Sequence, residues 1–427
     1  MCSNIPMEER VKTFVLGSIA DMPKIIEEEL KGIGTTRFFV KELKDAISKS
    51  GQRIFLLAGL RGTGKTTALY QLFNSLDKDS VVYFSCDELL SRRINLEDVI
   101  SAVDYIKKER IGMSKRFVLL LDEITYLPEW DLKLKVIRDK RPNLIIVATS
   151  SSVIPLKKTV ELARRAYEIQ VLPLSFREYL SLRYNINIPD ELSNEIRKKI
   201  GKESLEGEYL KVLSLVGSYD LFALYEEYVK NDLPPSLKLS EIAYTDAINK
   251  IIKRTIYEDL SKYEKMETKM LGIAEALIKY LSTVPADGVK ITTLSEIIGI
   301  SKESVTKLLE VLELAMLIKG VEYEGRGRMF KKPKKWFFYS PSMRYVLASP
   351  VAGFADIVGN LREDSVFRHL AQMSKNIFYS HEADFIADGM RIEVGKGKPP
   401  KKDTVIFGME EKIEKNRIPI PLALLGV

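Results

Sequence analysis

The stretch Gly59-Leu60-Arg61-Gly62-Thr63-Gly64-Lys65-Thr66-Thr67 fits the pattern G-x-x-x-x-G-K-[ST]; the apolar run Ile54 to Ala58 precedes it and the helix-like run KTTALYQLFNSL begins at Lys65. Glycines at this spacing let backbone N–H groups turn inward around phosphate oxygens at a helix N-terminus. A lysine there can neutralise the β- and γ-phosphates, and the Thr66 hydroxyl suits a hard cation such as Mg²⁺. The pattern predicts a nucleoside triphosphate site with Gly59 to Thr67 as its binding residues. No base-reading motif accompanies it, so the pattern leaves GTP open beside ATP.

A second stretch, RFVLLLDEITYL, carries the apolar run Phe117 to Leu121 followed by Asp122 and Glu123. Five consecutive apolar residues read as a strand buried on both faces, which puts the two acids at its end. Asp122 is then expected to join Thr66 in holding Mg²⁺, and Glu123 to orient and polarise the attacking water. Adjacent acids in those roles imply hydrolysis, not storage, of the nucleotide. In NLIIVATSSS the cluster Thr149-Ser150-Ser151-Ser152 emerges at a strand's carboxyl end, where open α/β sheets put their ligands. One of these hydroxyls could contact the γ-phosphate or the attacking water; a helix cap is the plain alternative. Arg164 and Arg165 precede the last strand. Arg165 is the candidate to reach a γ-phosphate in the same or a neighbouring subunit, a solvated pair being the alternative. The expected catalytic set is thus Glu123, Lys65 and Arg165, with Thr66 and Asp122 for the metal.

The elements that must position these residues follow from the same reading. SVVYFSCDE and AYEIQV supply further strands between helix-like segments, an alternation that predicts an α/β fold with a parallel sheet and helices on both faces. A chain of 427 residues is too long for one ordinary core. Its formal charge of +7 permits nucleic acid as a partner without requiring it. The only cysteines, Cys2 and Cys86, exclude a disulfide framework, and Cys86 reads as a small buried hydrophobe. No run reaches the roughly 20 apolar residues that span a bilayer. The N-terminus lacks the regions of a signal peptide, so no membrane partner and a cytoplasmic location are expected. Scarce glutamine with abundant Lys, Glu and Ile is a balance seen in proteins from hot environments.

LLAGLRGTGKTTALYQL, LLLDEITYLPEWDLKLKVIRD, IIVATSSS, LPLSFREYL, INKIIKRTIYEDLSKY and EADFIADGMRIEV together resemble the archaeal and bacterial AAA-type P-loop ATPases that continue into a winged helix and a nuclease-like C-terminal domain. The resemblance implies a P-loop ATPase domain over 1–180, a helical lid over 181–265, a winged helix-turn-helix over 266–345 and a small nuclease-like α/β domain over 346–427. It implies ATP and Mg²⁺ as cofactors, double-stranded DNA as a partner through the winged helix, and a homo-oligomer or protein partner. This chain departs from the family at ATSSS, at Arg164-Arg165 and at NDLPP. Trp130 in the DEITYLPEW stretch reads as a packing anchor.

The residues of the C-terminal half add detail. From about Glu267 short helices follow one another: ALIKYLST, then TTLSEIIGI with the box Thr293-x-x-Glu296, then a helix opened by Ser301 as cap. Two strands around EGRGRMFKKPKK complete three helices and a hairpin. Arg326, Arg328, Lys331, Lys332, Lys334 and Lys335 could meet phosphates, whereas Glu303, Glu310 and Glu313 offset Lys302 and Lys307 on the helix that would read bases. In SHEADFIADGMRIEVGKGK, Asp384 and Glu393 match the PD-(D/E)XK nuclease core, but Gly395 stands where period-two alternation asks for the lysine. Lys396 falls on the opposite face unless a bulge intervenes. Glu363 could supply a helix acid, and the tract Lys396, Lys398, Lys401 and Lys402 could contact phosphate or form a solvated loop.

Overall fold

A computed structural model of the chain describes residues 7–33, 36–49, 51–151, 162, 165–261, 266–286, 289–325, 334–374, 376–395 and 403–427. The chain divides into two compact units, Met1–Val171 and Leu172–Val427.

The first unit contains α1 (Met7–Glu29), α2 (Phe38–Lys49), β1 (Ile54–Ala58), α3 (Lys65–Asn74), β2 (Val81–Ser85), α4 (Cys86–Ser91), α5 (Leu96–Lys107), β3 (Phe117–Asp122), α6 (Trp130–Lys140), β4 (Leu144–Ser150) and β5 (Ala166–Gln170). The five strands form one all-parallel sheet in the order β2-β3-β4-β1-β5. The apolar runs are continuous because both faces are covered. Phe117, Leu119 and Leu121 join Val99, Val103, Leu134 and Trp130 on one face, while Val118 and Leu120 join Leu69, Leu72 and Val147 on the other. Apolar burial on both faces is what a parallel sheet between two helix layers requires. The expected α/β fold is therefore present, Trp130 is in the core, and Cys86 is fully buried with its thiol's pKa pushed up by burial.

In the second unit helices Phe176–Tyr184, Asp190–Lys199, Glu206–Val216, Leu221–Tyr228 and Glu241–Arg254 come first. The helix from Phe176 starts at a capping box in which Ser175 and Glu178 satisfy each other's backbone N–H groups. Helices Thr268–Thr283, Ile291–Ile298 and Lys302–Leu314 lead into β6 (Ile318–Tyr323) and β7 (Lys335–Phe338), which pair antiparallel. Ser301 caps its helix by accepting the Ser304 N–H over 3.2 Å, as expected. Thr293 does not cap: that helix already starts at Ile291 after Lys290, so Thr293 lies in its first turn.

Helices Pro341–Ala348 and Phe354–Met373 follow, then β8 (Ile377–Tyr379), β9 (Phe385–Ala387), β10 (Met390–Val394), β11 (Thr404–Gly408) and β12 (Arg417–Pro419). The hairpin is not a free wing. β6 also pairs in parallel with β8, Glu322 beside Phe378 and Tyr323 beside Tyr379, so hairpin and C-terminal strands form one seven-stranded mixed sheet, β12-β11-β10-β9-β8-β6-β7.

Candidate functional site

The site in the first unit is built at the carboxyl ends of β1, β3 and β4. Between β1 and α3 the chain must reverse tightly, and Gly62 (φ 79°) and Gly64 (φ 87°) both occupy the left-handed region that glycine adopts without a Cβ penalty. Gly59 is required for a different reason. A Cβ there would lie 2.2 Å from the Val171 carbonyl oxygen, so a side chain would push the loop off β5's end. Lys65, the first residue of α3, is buried, and its ammonium donates to the Gly59 and Leu60 carbonyls over 2.8 and 2.9 Å. Thr63 donates back to the Leu60 carbonyl over 2.8 Å, and Arg37 donates to the Thr63 carbonyl over 2.6 Å. The loop is thus held from inside by its own lysine and from outside by an arginine on the segment before α2.

Across from Thr66, Asp122 ends β3 and is buried. Its Oδ2 accepts from the Thr66 hydroxyl over 2.8 Å and from the Tyr83 hydroxyl over 3.2 Å; its Oδ1 accepts from the Thr149 hydroxyl. Glu123 then turns the chain with φ 53° and ψ 52°, an uncommon conformation for a non-glycine residue and one that concentrates at functional sites. Two hydrogen bonds hold it there. Its N–H donates to Thr149 Oγ1 over 2.8 Å, and its carboxylate accepts the Ser151 N–H over 3.1 Å.

A hydroxyl touching a carboxylate beside a glycine loop and a lysine is an oxygen donor set suited to Mg²⁺ next to a phosphate cradle. The residues present therefore fit a metal-bound nucleoside triphosphate. Of the polar cluster at the carboxyl end of β4, Thr149 contributes its hydroxyl to the acids and Ser151 contributes its backbone, while Ser152 and Arg164 lie outside the described residues. Arg165 immediately precedes β5, an edge strand, and its N–H donates to the Leu162 carbonyl. Tyr83 and Arg37 were not singled out by sequence. Tyr83 comes to the site because β2 pairs with β3 so that Ser85 lies beside Asp122, and a residue two positions earlier shares that face.

The second unit alters the reading of its basic and acidic residues. Lys334 pairs with Glu322 at 3.4 Å, and Lys335, which is buried, pairs with Asp384 at 3.6 Å with its ammonium 5.1 Å from the Tyr379 ring centre. Lys335 does not face solvent as a phosphate contact on a free wing would, because β7 lies in the common sheet, whereas Lys334, just before β7, is exposed and paired with Glu322. Arg326, Arg328, Lys331 and Lys332 lie outside the described residues, as do Lys396, Lys398, Lys401 and Lys402. Glu313 turns to the hairpin, accepting from Lys319 and from the Gly320 N–H, which leaves Lys302 and Lys307 against Glu303 and Glu310 on the outer face. Continuing the β9–β10 register by one step sets Asp384 opposite Glu393, and Asp384 accepts the Val394 N–H over 2.9 Å. β10 ends at Val394, and Gly395 takes φ 141°. Glu363 is half-buried. No cluster of three or more metal-ligating His, Cys, Asp or Glu residues is found among the described residues.

Fold and site together define an AAA-type P-loop ATPase domain, and residues 51–180 match the family model described as AAA domain. An uncharacterized protein of Methanocaldococcus jannaschii, MJ1637, is 30% identical over 448 residues, covering 96% of this chain and 93% of that protein. The chain belongs to the same family as MJ1637. A Haemophilus influenzae protein is 22% identical over 341 residues, covering 78% of this chain and 79% of its own length. Among solved structures, AMPPCP-bound DnaA from Aquifex aeolicus aligns with 64% of this chain and 86% of its own at 15% identity, with a TM-score of 0.27. No described helix is long and apolar enough to cross a membrane.

Proposed function

We propose that this chain binds ATP with Mg²⁺, hydrolyses it, and couples its nucleotide state to binding or remodelling of double-stranded DNA. The observation that carries the hydrolytic part is the contact of Thr66 with Asp122 beside Glu123, whose strained backbone is tied down by Thr149 and Ser151. In this reading Gly59 to Thr67 surround the phosphates with backbone N–H groups, and Lys65 adds the charge that their β- and γ-oxygens need. Thr66 and Asp122 hold Mg²⁺, which when bound offsets charge developing on the phosphate oxygens. Glu123 accepts a proton from the attacking water and aims it in line with the bond that breaks. Arg165 precedes β5 beside the amino end of β1, at the end of the sheet opposite the phosphate loop, so the γ-phosphate it would serve belongs to a neighbouring subunit.

Three helices followed by a hairpin support the winged-helix reading of 266–345, and with it the DNA partner. A second reading has its own support. With Lys334 and Lys335 engaged in ion pairs and the outer face of Lys302–Leu314 balanced in charge, a nucleotide-dependent switch acting through a protein partner is the rival output.

Steady-state ATP hydrolysis by wild type and Glu123→Gln, with and without duplex DNA across a salt series, separates the two. Stimulation by DNA that fades with salt supports the first. A DNA-indifferent rate lost in Glu123→Gln keeps the ATPase and points to the second, and no hydrolysis under any condition sinks the catalytic assignment.

A further inference from the structure

Asp122 receives three hydroxyl donors, each from a different element: Thr66 from α3, Thr149 from β4 and Tyr83 from β2. The first two have other partners to serve. Thr66 belongs to the phosphate loop's helix, and Thr149 also accepts the Glu123 N–H. The Tyr83 hydroxyl bonds Asp122 and also shares a hydrogen bond with Tyr70, and it holds Asp122 from a fixed platform. Its ring is buried, stands 5.3 Å from the Tyr70 ring and packs in the core that contains Leu72 and Leu120. An aromatic side chain has two rotatable bonds, and packing on both sides leaves its hydroxyl little room to move.

The oxygen that Tyr83 holds is Oδ2, the same atom that Thr66 contacts. With only Thr66 and Thr149, one donor on each oxygen, the carboxylate could tilt whenever Thr66 shifts with the phosphate loop. A third donor on Oδ2 from a strand of the rigid sheet opposes that tilt. Partners of this kind around a metal-binding carboxylate set its orientation without touching the metal.

We propose that Tyr83 is a positioning residue for the metal site: it locks Asp122 in the orientation that binds Mg²⁺ and thereby sets the Mg²⁺ requirement of nucleotide binding. This rests on the ATPase reading above. Tyr83→Phe is the test because it keeps the ring and removes one hydroxyl. ATP binding is measured by calorimetry in EDTA and across a Mg²⁺ series, and Mn²⁺ binding to the ATP complex is followed by electron paramagnetic resonance.

The expected result is an unchanged affinity in EDTA with about a tenfold rise in the Mg²⁺ needed for half-maximal tightening, and a matching loss of Mn²⁺ affinity. A Mg²⁺ dependence equal to wild type, or an equal loss of affinity with and without metal, overturns the positioning role while leaving the ATPase reading intact. If wild type itself binds no nucleotide in a Mg²⁺-dependent way, the ATPase reading fails and the role of Tyr83 falls with it.

Discussion

The backbone N–H of Glu123 donates to the Thr149 hydroxyl over 2.8 Å, and that hydroxyl in turn donates to Asp122. One side chain on β4 therefore fixes both acids at the end of β3. Thr149→Val keeps the shape and leaves the half-buried Glu123 N–H and a buried Asp122 oxygen each short of a partner, the latter at about 1–3 kcal/mol. The melting temperature should drop by several degrees, and turnover should fall about 10- to 100-fold with the acids no longer held. Thermal melts beside steady-state hydrolysis check this; turnover equal to wild type would remove Thr149 from the catalytic arrangement.

Lys65 presents a different balance. Its ammonium is buried against the Gly59 and Leu60 carbonyls, so it shapes the loop in addition to any charge it lends to phosphate. Lys65→Met keeps much of the stem and removes the charge. ATP affinity should fall by more than about tenfold, since a hydrogen-bonded charge is worth roughly 1.5–3 kcal/mol. Titration calorimetry reads the loss, and retained affinity would mean that the backbone amides alone hold the phosphates.

Much of this site was legible because its parts are local. The motif from Gly59 to Thr67, the apolar run before Asp122 and the hydroxyls at the carboxyl end of β4 are each contiguous, and one period suffices to read them. Tyr83 was missed because its role depends on β2 lying beside β3, a pairing that local pattern does not specify. Arg37 was missed for the same reason, since its partner Thr63 is distant in sequence. In the second unit the three helices and hairpin were legible from caps and turns. The pairing of β6 with β8 was not, and it changed Lys335 from a candidate phosphate contact into the partner of Asp384.

Arg344 and Asp364 form a fully buried ion pair that no sequence pattern announced. Arg344 also donates to the carbonyls of Leu281, Ser282 and Val284 at the end of helix Thr268–Thr283, while Asp364 accepts the Phe338 N–H over 2.9 Å. The pair thus ties that helix, the hairpin and helix Phe354–Met373 together. Arg344→Met strands a buried carboxylate and should cost about 3–5 kcal/mol. Adding Asp364→Asn removes the charge but keeps an acceptor for Phe338, and should recover part of the loss. Urea unfolding of both variants decides; an equal loss in each would show that the lost helix cap, not the stranded charge, sets the cost.

Asp232 gives the second unit a pH dependence of definite sign. Its Oδ1 accepts from the Ser340 and Ser342 hydroxyls over 2.7 and 2.5 Å, whereas its Oδ2 is buried without a hydrogen-bond partner. Burial pushes its pKa from 3.8 up to about 6, against the opposing pull of the serine hydroxyls and the Arg368 charge. The folded chain therefore holds this proton more tightly than the unfolded one. The stabilisation is fully present below about pH 4 and is lost as pH rises through about 6, a change on the order of 3 kcal/mol. Asp232→Asn keeps an acceptor for the serines and cannot ionise. Its stability relative to wild type should rise from about pH 4 to about pH 7 and then level off. Urea unfolding across that range is the measurement, and a constant difference would mean that the carboxyl finds a partner for Oδ2 when it ionises.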